Sequence, residues 1–371
     1  RSSKVKLSSA GKDVNFLNET SLNLRLQGSA DDQKYQIRLP RVAARIAGEM
    51  FELTDVDLLV ERRGKGYVVA GGVPAIEITK LLDSVSSIDA ETNFLSARAR
   101  QALAEMNPGG SLEAIAFYLD SSLDQPEMKL VSQIRDLRMD AYLGAPGISR
   151  LDGFVSLRPT QGYIDIDNRS YSMQFASMFD LAWPFDSARG RLNYFYREGV
   201  LQFSSGLLEL IKGDLSAYGK VHISLPPVRA EQTWGLVIGI NDGDIVDAYR
   251  YLPKTLSTEF LSWIENAVVE GTVKESALLF HGSLFRGAPK IRKIYELYLD
   301  VGDATLDYHE DWTPVSALNA MVYINNNGVL SEGATGTMLE SNVREAIVSV
   351  PMPSTGQIDN ISITGSFRGP L

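Results

Sequence analysis

Three histidines and an acidic pair are the residues of this sequence whose types and spacing could support chemistry. His222, His281 and His309 lie in separate segments, and none belongs to a His-Glu-x-x-His or similar metal spacing. Asp165 and Asp167 alternate with isoleucines, which is typical of the polar side of a strand. We therefore predict no metal site, and we interpret the three histidines as strand residues.

The sequence lacks residues that several other catalytic and cofactor sites require. The acidic group at 241–244 has no distal glutamate of an EF-hand loop. Residues 213–220 end in Gly-Lys, but Val221 stands where a phosphate loop needs Ser or Thr, and no Gly-x-Ser-x-Gly elbow occurs. The chain contains no cysteine, which excludes thiol catalysis and disulfides. We predict a protein that is not an enzyme and has no cofactor.

The overall charge argues against one class of partner. The 371 residues include 36 Lys or Arg against 46 Asp or Glu, for a formal net charge of -10. No basic run is interleaved with aromatic residues, so nucleic acid is not an expected partner. No apolar stretch approaches the roughly 20 residues that span a bilayer. The chain starts without methionine or a signal sequence and stops in a strand-like run, which indicates a fragment of a longer protein.

Strands with one apolar face dominate the expected structure. Apolar residues alternate with polar ones at 22–26, 35–39 and 171–175, and residues 234–240 alternate large apolar side chains with small ones. Strands of this kind are mostly antiparallel, because one face of an antiparallel sheet can remain in water.

Short helices are expected at three places. They lie after Pro40 (residues 40–46), at 96–106 before an Asn-Pro-Gly-Gly stop, and at 258–269. Their apolar stripes have the spacing of one helix face, and we expect that face to pack onto the sheet.

Similar segments recur in the same order along the chain and indicate a repeat. A helix followed by Gly-Ser/Thr-Leu/Val occurs at 110–112 and 271–273, and Gly-Ala-Pro occurs at 144–146 and 287–289. Trp183 and Trp312 each precede a Gly-Val-Leu segment by 16 residues. The offsets fall along the chain, which we interpret as shorter loops in the second copy. We predict one elongated array, with a preceding β repeat and helical segments at 1–109, a first copy at 110–243, and a helical segment with the second copy at 244–371.

The same segments resemble YhdP-type proteins of the AsmA-like superfamily. The resemblance rests on Trp263-Ile264, Gly282, Trp312, the Tyr-Leu-Pro at 251–253, and the repeated segments given above. It extends from about Pro40 to Pro351. The aromatic-Pro-aromatic segment expected after Gly282 is replaced by residues 284–289.

The resemblance implies a fold, a location and a function. It implies curled antiparallel β repeats that form an elongated U-shaped (β-taco-like) groove in the periplasm of a Gram-negative cell envelope. The longer protein would be anchored in the inner membrane by a helix outside this sequence. The groove would carry phospholipid toward the outer membrane without catalysis and maintain that membrane, with the two membranes, phospholipid acyl chains and envelope proteins as partners.

The residues alone leave the role of the apolar faces open. A dry core closed by a second sheet or by helices fits the alternation better than an open groove, whereas the resemblance favours the groove. A structural or adhesive β-solenoid with a sealed core is one alternative, and a carbohydrate-active protein using Asp165 or Asp167 is another. The expected lipid-binding residues are Tyr171, Met173, Phe175, Leu192, Tyr194, Leu236, Ile238, Ile240, Met321 and Tyr323.

Overall fold

The computed structural model describes residues 6–9, 12–15, 20–29, 33–46, 49–93, 95–143, 145–176, 179, 181–245, 258–285, 288, 293–351 and 362–369. The chain divides into two compact units, Arg1–Met173 and Gln174–Leu371. Both units consist mainly of antiparallel strands with short helices, which confirms the predicted fold class.

The first unit contains ten strands and two helices. They are β1 (Lys6–Ser9), β2 (Lys12–Asn15), β3 (Thr20–Ser29), β4 (Lys34–Ile46), β5 (Glu49–Arg63), β6 (Gly66–Glu77), α1 (Ile78–Thr92), α2 (Ala97–Met106), β7 (Gly109–Asp120), β8 (Glu127–Met139), β9 (Gly147–Leu157) and β10 (Gln161–Gln174). β1 pairs with β2, and β3 to β9 form a sheet in which each strand is antiparallel to the next strand of the chain.

The second unit repeats this connectivity. Its elements are β11 (Trp183–Arg197), β12 (Val200–Ser205), β13 (Leu208–Lys212), β14 (Leu215–Leu225), a 3-10 turn (Arg229–Glu231), β15 (Thr233–Asp244), α3 (Thr258–Ala267), β16 (Val268–Gly282), β17 (Ile294–Leu306), β18 (Val315–Asn325), β19 (Gly328–Met338), β20 (Ser341–Pro351) and β21 (Ser362–Arg368). β12 and β13 both pair with β11 and with β14, so together they form one interrupted strand. From β14 to β21 every strand is antiparallel to its successor.

Two of the three expected helices are present. α2 begins after Ser96, whose Oγ accepts a hydrogen bond from the backbone N–H of Ala99 at 3.1 Å, and it ends at Asn107 in the left-handed region. α3 ends at Ala267, two residues before the expected end, and β16 begins at Val268.

The helix expected after Pro40 is wrong, and a helix that we did not predict is present elsewhere. Residues 40–46 continue β4, and Arg41 forms a two-point ion pair with Glu52 on β5. Pro40 faces Asp55, which has a φ of 50°, so the missing proline N–H falls at an irregular point of the ladder. The missed helix is α1, whose serine-rich sequence weakens the helical pattern.

The repeat differs from the expected one in its spacing. Four strands, β7 to β10, separate α2 from the hairpin that begins at Trp183, whereas only β16 and β17 lie between α3 and the strand after Trp312. The falling offset therefore reflects two fewer strands and not shorter loops. In sequence the Gly-Ala-Pro segments follow different strands, β8 and β16, although residues 144, 287 and 289 lie outside the described residues. The domain boundaries at 109/110 and 243/244 stay a prediction.

Many of the described strands contain a bulge. Ala114, Asp136, Asp303 and Glu345 have φ values of 48°, 49°, 50° and 51° although none is glycine. The pairing register shifts at each of these positions. A bulge adds one unpaired residue and bends its strand, so a row of bulges bends a sheet along a line.

Side chains of the next strand satisfy the backbone groups at these bulges. Asp152 accepts a hydrogen bond from the N–H of Asp136 at 2.8 Å, and Asn319 accepts one from the N–H of Asp303 at 3.4 Å. Asn168, which is 2% exposed, accepts from the N–H of Asp152 at 3.2 Å and donates to the carbonyl of Arg150. The bonds of Asn168 give partly buried backbone groups a partner, whereas those of Asp136 and Asp303 lie at exposed positions.

We predict that Asn168→Ala destabilises the chain by about 1–3 kcal/mol, because two backbone groups lose their side-chain partner. Urea denaturation followed by circular dichroism measures the loss. Gln133→Ala, which removes an exposed amide side chain from β8, is the control and should stay within about 0.5 kcal/mol of the parent. Equal losses in the two variants would show that the bulge contact contributes nothing.

Candidate functional site

One face of the second sheet is apolar from strand to strand. Directly opposed residues lie on the same face, and Ile238 is opposed by Gly219 on β14 and by Leu278 on β16. Following the register from β11 to β20 gives one surface, here called the apolar face of the second unit. It includes Leu192, Tyr194, Phe203, Ile223, Trp234, Leu236, Ile238, Ile240, Leu278, Phe280, Tyr295, Leu297, Leu299, Val322, Ile324, Val329, Val348 and Val350.

The sheet of the first unit has a similar face. Leu58 is opposed by Ile37 on one side and by Gly71 on the other, and Gly71 is opposed by Phe117. A Cβ on Gly71 would lie 2.7 Å from Leu58 Cδ2 and 2.8 Å from Phe117 Cζ, so a larger residue would displace the two apolar side chains. Members of this face are Tyr35, Ile37, Leu39, Val56, Leu58, Val60, Val69, Ile115, Phe117, Leu119, Met128, Leu130, Ile134, Val155 and Leu157.

Most large side chains of both apolar faces are only half-buried. Leu236, Ile238 and Ile240 all keep part of their surface accessible, and Met128 is 50% exposed. The main strand contacts of α1 and α3 are with strands near them in sequence. No residue of α2 is fully buried, but its half-buried side is the expected apolar stripe, formed by Ala99, Ala102, Leu103 and Met106.

The best-buried residues of the apolar faces lie beside the bulges. In the second unit, Ala320, Ala334 and Ala346 form a buried cluster, and Leu318 and Val322 pack against it from either side. In the first unit, Ile115 and Ile134 occupy the corresponding places beside Ala114 and Asp136. We call the row of bulges across neighbouring strands the bulge line. Because the best-buried side chains lie along it, we interpret each apolar face as concave there.

Five of the predicted lipid-binding residues are brought together by the structure. Leu192 and Tyr194 on β11 share the apolar face of the second unit with Leu236, Ile238 and Ile240 on β15. The connection runs through β12, where Phe203 opposes both Tyr194 and Ile223. Their assignment to lipid stays a prediction.

Met321 and Tyr323 lie on the opposite face of the second sheet. Met321 opposes Asp300, Tyr323 opposes Tyr298, and both residues are exposed, at 46% and 42%. Their neighbours Val322 and Ile324 occupy the apolar face instead. The sequence Met-Val-Tyr-Ile is apolar at every position, so its alternation does not identify the inner side chains.

The last three predicted residues lie near the end of β10. Tyr171 is buried, at 7% exposure, and Met173 is half-buried. Phe175 follows β10, and its ring centroid lies 6.0 Å from that of Trp183, which also contacts Phe179 at 4.4 Å. Burial raises the pKa of the Tyr171 phenol, since the ionised form would lose its hydration.

Four of the five polar residues considered for chemistry lie in strands, whereas His309, which we expected in a strand, lies between β17 and β18. His222 and His281 flank Gly235 on the opposite face of the second sheet, a pairing that their sequence separation does not reveal. Asp165 and Asp167 lie within β10. Among the residues that the structure describes, no group of three or more His, Asp or Glu is arranged to hold a metal ion.

Comparison with protein families identifies the chain. A family model described as YhdP protein matches residues 1–371. The chain belongs to the YhdP family. Placement of YhdP in the AsmA-like superfamily is consistent with this match, which confirms the resemblance found in the sequence.

YhdP is a family of envelope proteins, and membership suggests a transport role without catalysis. Searches of curated proteins and of solved structures gave no match. Among the described helices of this YhdP chain, none is long and apolar enough to cross a membrane.

We predict that Tyr171→Phe reduces the alkaline sensitivity of the fold. Because the folded-state pKa is raised, the contribution of this phenol is complete below its unfolded pKa of about 10 and is lost as the pH rises above that value. Urea unfolding between about pH 9 and pH 11 should show a smaller loss for the variant than for the parent. Tyr196→Phe, at a 49% exposed position, is the control, and an identical pH profile for Tyr171→Phe would contradict the assignment.

Proposed function

We propose that the apolar faces bind phospholipid acyl chains and that the chain forms part of a non-enzymatic conduit between the inner and outer membranes. The observation that carries this proposal is the continuous, half-exposed apolar face of each sheet. A sealed β-solenoid would bury such a face. Soluble proteins rarely leave contiguous apolar surface of this kind without a ligand or partner.

The energetic need for such a surface follows from the cargo. A phospholipid with about 30 methylenes exposes apolar surface worth on the order of 20 kcal/mol when it leaves a bilayer, at roughly 0.8 kcal/mol per methylene. Side chains such as Leu236 and Ile238 can replace the lipid neighbours of an acyl chain, because they are apolar and accessible. Contacts of this kind depend little on the exact chain, so we expect weak selectivity for chain length.

The ends of the strands suit the boundary between acyl chains and water. On the apolar face of the first unit, Tyr35 lies near the start of β4 and Met128 near the start of β8, and they are 40% and 50% exposed. A phenol can contact hydrocarbon with its ring while its hydroxyl stays hydrated. A thioether adapts to irregular apolar surfaces. Polar head groups would therefore remain in water at these strand ends while the acyl chains contact the centre of the sheet.

Family membership supports a location for this surface in the cell envelope. YhdP proteins belong to the envelope, and we propose a periplasmic position with an inner-membrane anchor elsewhere in the longer protein. Lipid would then move along the apolar face toward the outer membrane. Partner proteins at either end or a lipid gradient would supply direction, since we assign no nucleotide site or catalytic residue.

We predict that the double variant Leu236→Arg and Ile238→Arg loses most of its bound phospholipid, because guanidinium groups on the apolar face exclude hydrocarbon. The matched control is Val237→Arg with Leu279→Arg, which places two arginines on the opposite face, one on β15 between the two test positions and one directly opposed on β16. Mass spectrometry of organic extracts from natively purified protein measures lipid per chain, and circular dichroism verifies folding.

Equal lipid content in the two double variants would contradict the proposal. If the arginine pair prevents folding, Leu236→Ser with Ile238→Ser provides the milder test and should still lower lipid content. Lipid-free parent protein would contradict the proposal outright.

A further inference from the structure

The second unit contains a long segment without a basic side chain. Between Ile294 and Val343 the sequence has eight Asp or Glu residues and no Lys or Arg. This segment forms β17, β18 and β19 and the start of β20. The whole chain has 36 Lys or Arg among 371 residues, so their absence from this segment shows that basic residues are unevenly distributed along the sequence. The register shows where the negative side chains lie.

Two parallel rows cross the face opposite the apolar face, from β16 to β19. In the first row, Glu275 opposes Asp300, Asp300 opposes Met321, and Met321 opposes Glu332. The second row lies two residues further along each strand, where the opposed residues are Ala277, Tyr298, Tyr323 and Leu330. We call these eight residues the acidic–aromatic surface. Adjacent strands lie about 4.8 Å apart, so each row is about 14 Å long.

The apolar members of this surface are accessible to solvent, and two of them, Tyr298 and Tyr323, contact each other. Met321, Tyr323 and Leu330 are 46%, 42% and 38% exposed. The rings of Tyr298 and Tyr323 lie 5.3 Å apart at an interplanar angle of 42°. An aromatic pair of this kind offers flat apolar area at little cost in side-chain entropy, as at protein interfaces.

We propose that the acidic–aromatic surface binds a cationic, amphipathic segment of a partner protein. Apolar side chains of the segment lie on Tyr298, Tyr323 and Leu330, and its Lys or Arg side chains reach the carboxylates of the neighbouring row. Glu296, one position beyond Tyr298 on the same face, extends the negative charge to the other side of the aromatic row. A cation above a tyrosine ring is also attracted by the ring itself.

The charge of this surface argues against other occupants. One cation, Lys274, lies beside Gly302 at the edge of this surface, with its Nζ 3.5 Å from Asn319 Oδ1. Glu275, Asp300 and Glu332 outnumber it, so the surface favours cations over anionic lipid head groups and nucleic acid. A second copy of this surface would bring like charges together. The inference does not depend on lipid transport, because the surface lies on the face away from Leu236 and Ile238.

The test uses the 371-residue chain and a short synthetic peptide in which Lys and Arg alternate with Leu. Fluorescence anisotropy of the labelled peptide at low salt should show binding that weakens as salt is added. Asp300→Asn with Glu332→Gln should weaken it roughly tenfold, as expected for the loss of two exposed ion pairs. Tyr323→Ser should weaken binding at every salt concentration, since it removes an apolar contact. A peptide with Glu in place of each cation should not bind.

Matched variants separate this surface from general attraction to an acidic protein. Asp124→Asn with Glu105→Gln removes the same charge from exposed sites in the first unit and should leave the affinity unchanged. Leu236→Ser should also leave it unchanged, whereas it should lower lipid content if the proposed function holds. The inference is overturned if the peptide does not bind or if all charge variants weaken binding equally. It is also overturned if Tyr323 is needed instead for binding phosphatidylglycerol vesicles, or for self-association in analytical ultracentrifugation.

Discussion

Side-chain hydrogen bonds to the backbone accompany the bulges in both sheets. Asn168, Asp152 and Asn319 each supply a side-chain partner to the backbone of the preceding strand. The contacts of Asp136 and Asp303 are exposed, whereas Asn168 is 2% exposed, so the loss of its side chain would leave partly buried backbone groups without a partner. Polar side chains at fixed places within otherwise amphipathic strands thus accompany the irregular points of the ladder.

Curvature and exposure explain how a large apolar surface can remain uncovered. Alanines occupy the bulge line in the second unit, where Ala320, Ala334 and Ala346 leave room for the strand halves to approach. Larger side chains such as Leu236 and Ile238 lie away from the bulge line and stay half-exposed. A flat sheet with the same residues would present its apolar face as a site for aggregation. Bending lets side chains shield one another while part of the apolar face stays accessible.

The sequence predicts most of the fold because strand alternation and helix stops are local signals. The segment at 234–240 and the Asn-Pro-Gly-Gly stop after α2 are examples. The face of β18 was not predictable, since all four residues from Met321 to Ile324 are apolar. The positions of the bulges were not predictable from the sequence for another reason. Residues such as Ala114 and Glu345 have no intrinsic preference for positive φ, and only the pairing with the next strand imposes it. In the same way, residues 40–46 carry a local helix signal but pair with neighbouring strands as part of β4.

The order of the strands has a consequence for biogenesis. In both sheets, from β3 to β9 and from β14 to β21, each strand finds its partner in the segment synthesised just before it. Contact order stays low, and the completed edge acts as a template for the next hairpin. A polypeptide delivered vectorially, amino end first, can thus fold in increments without waiting for distant sequence to arrive.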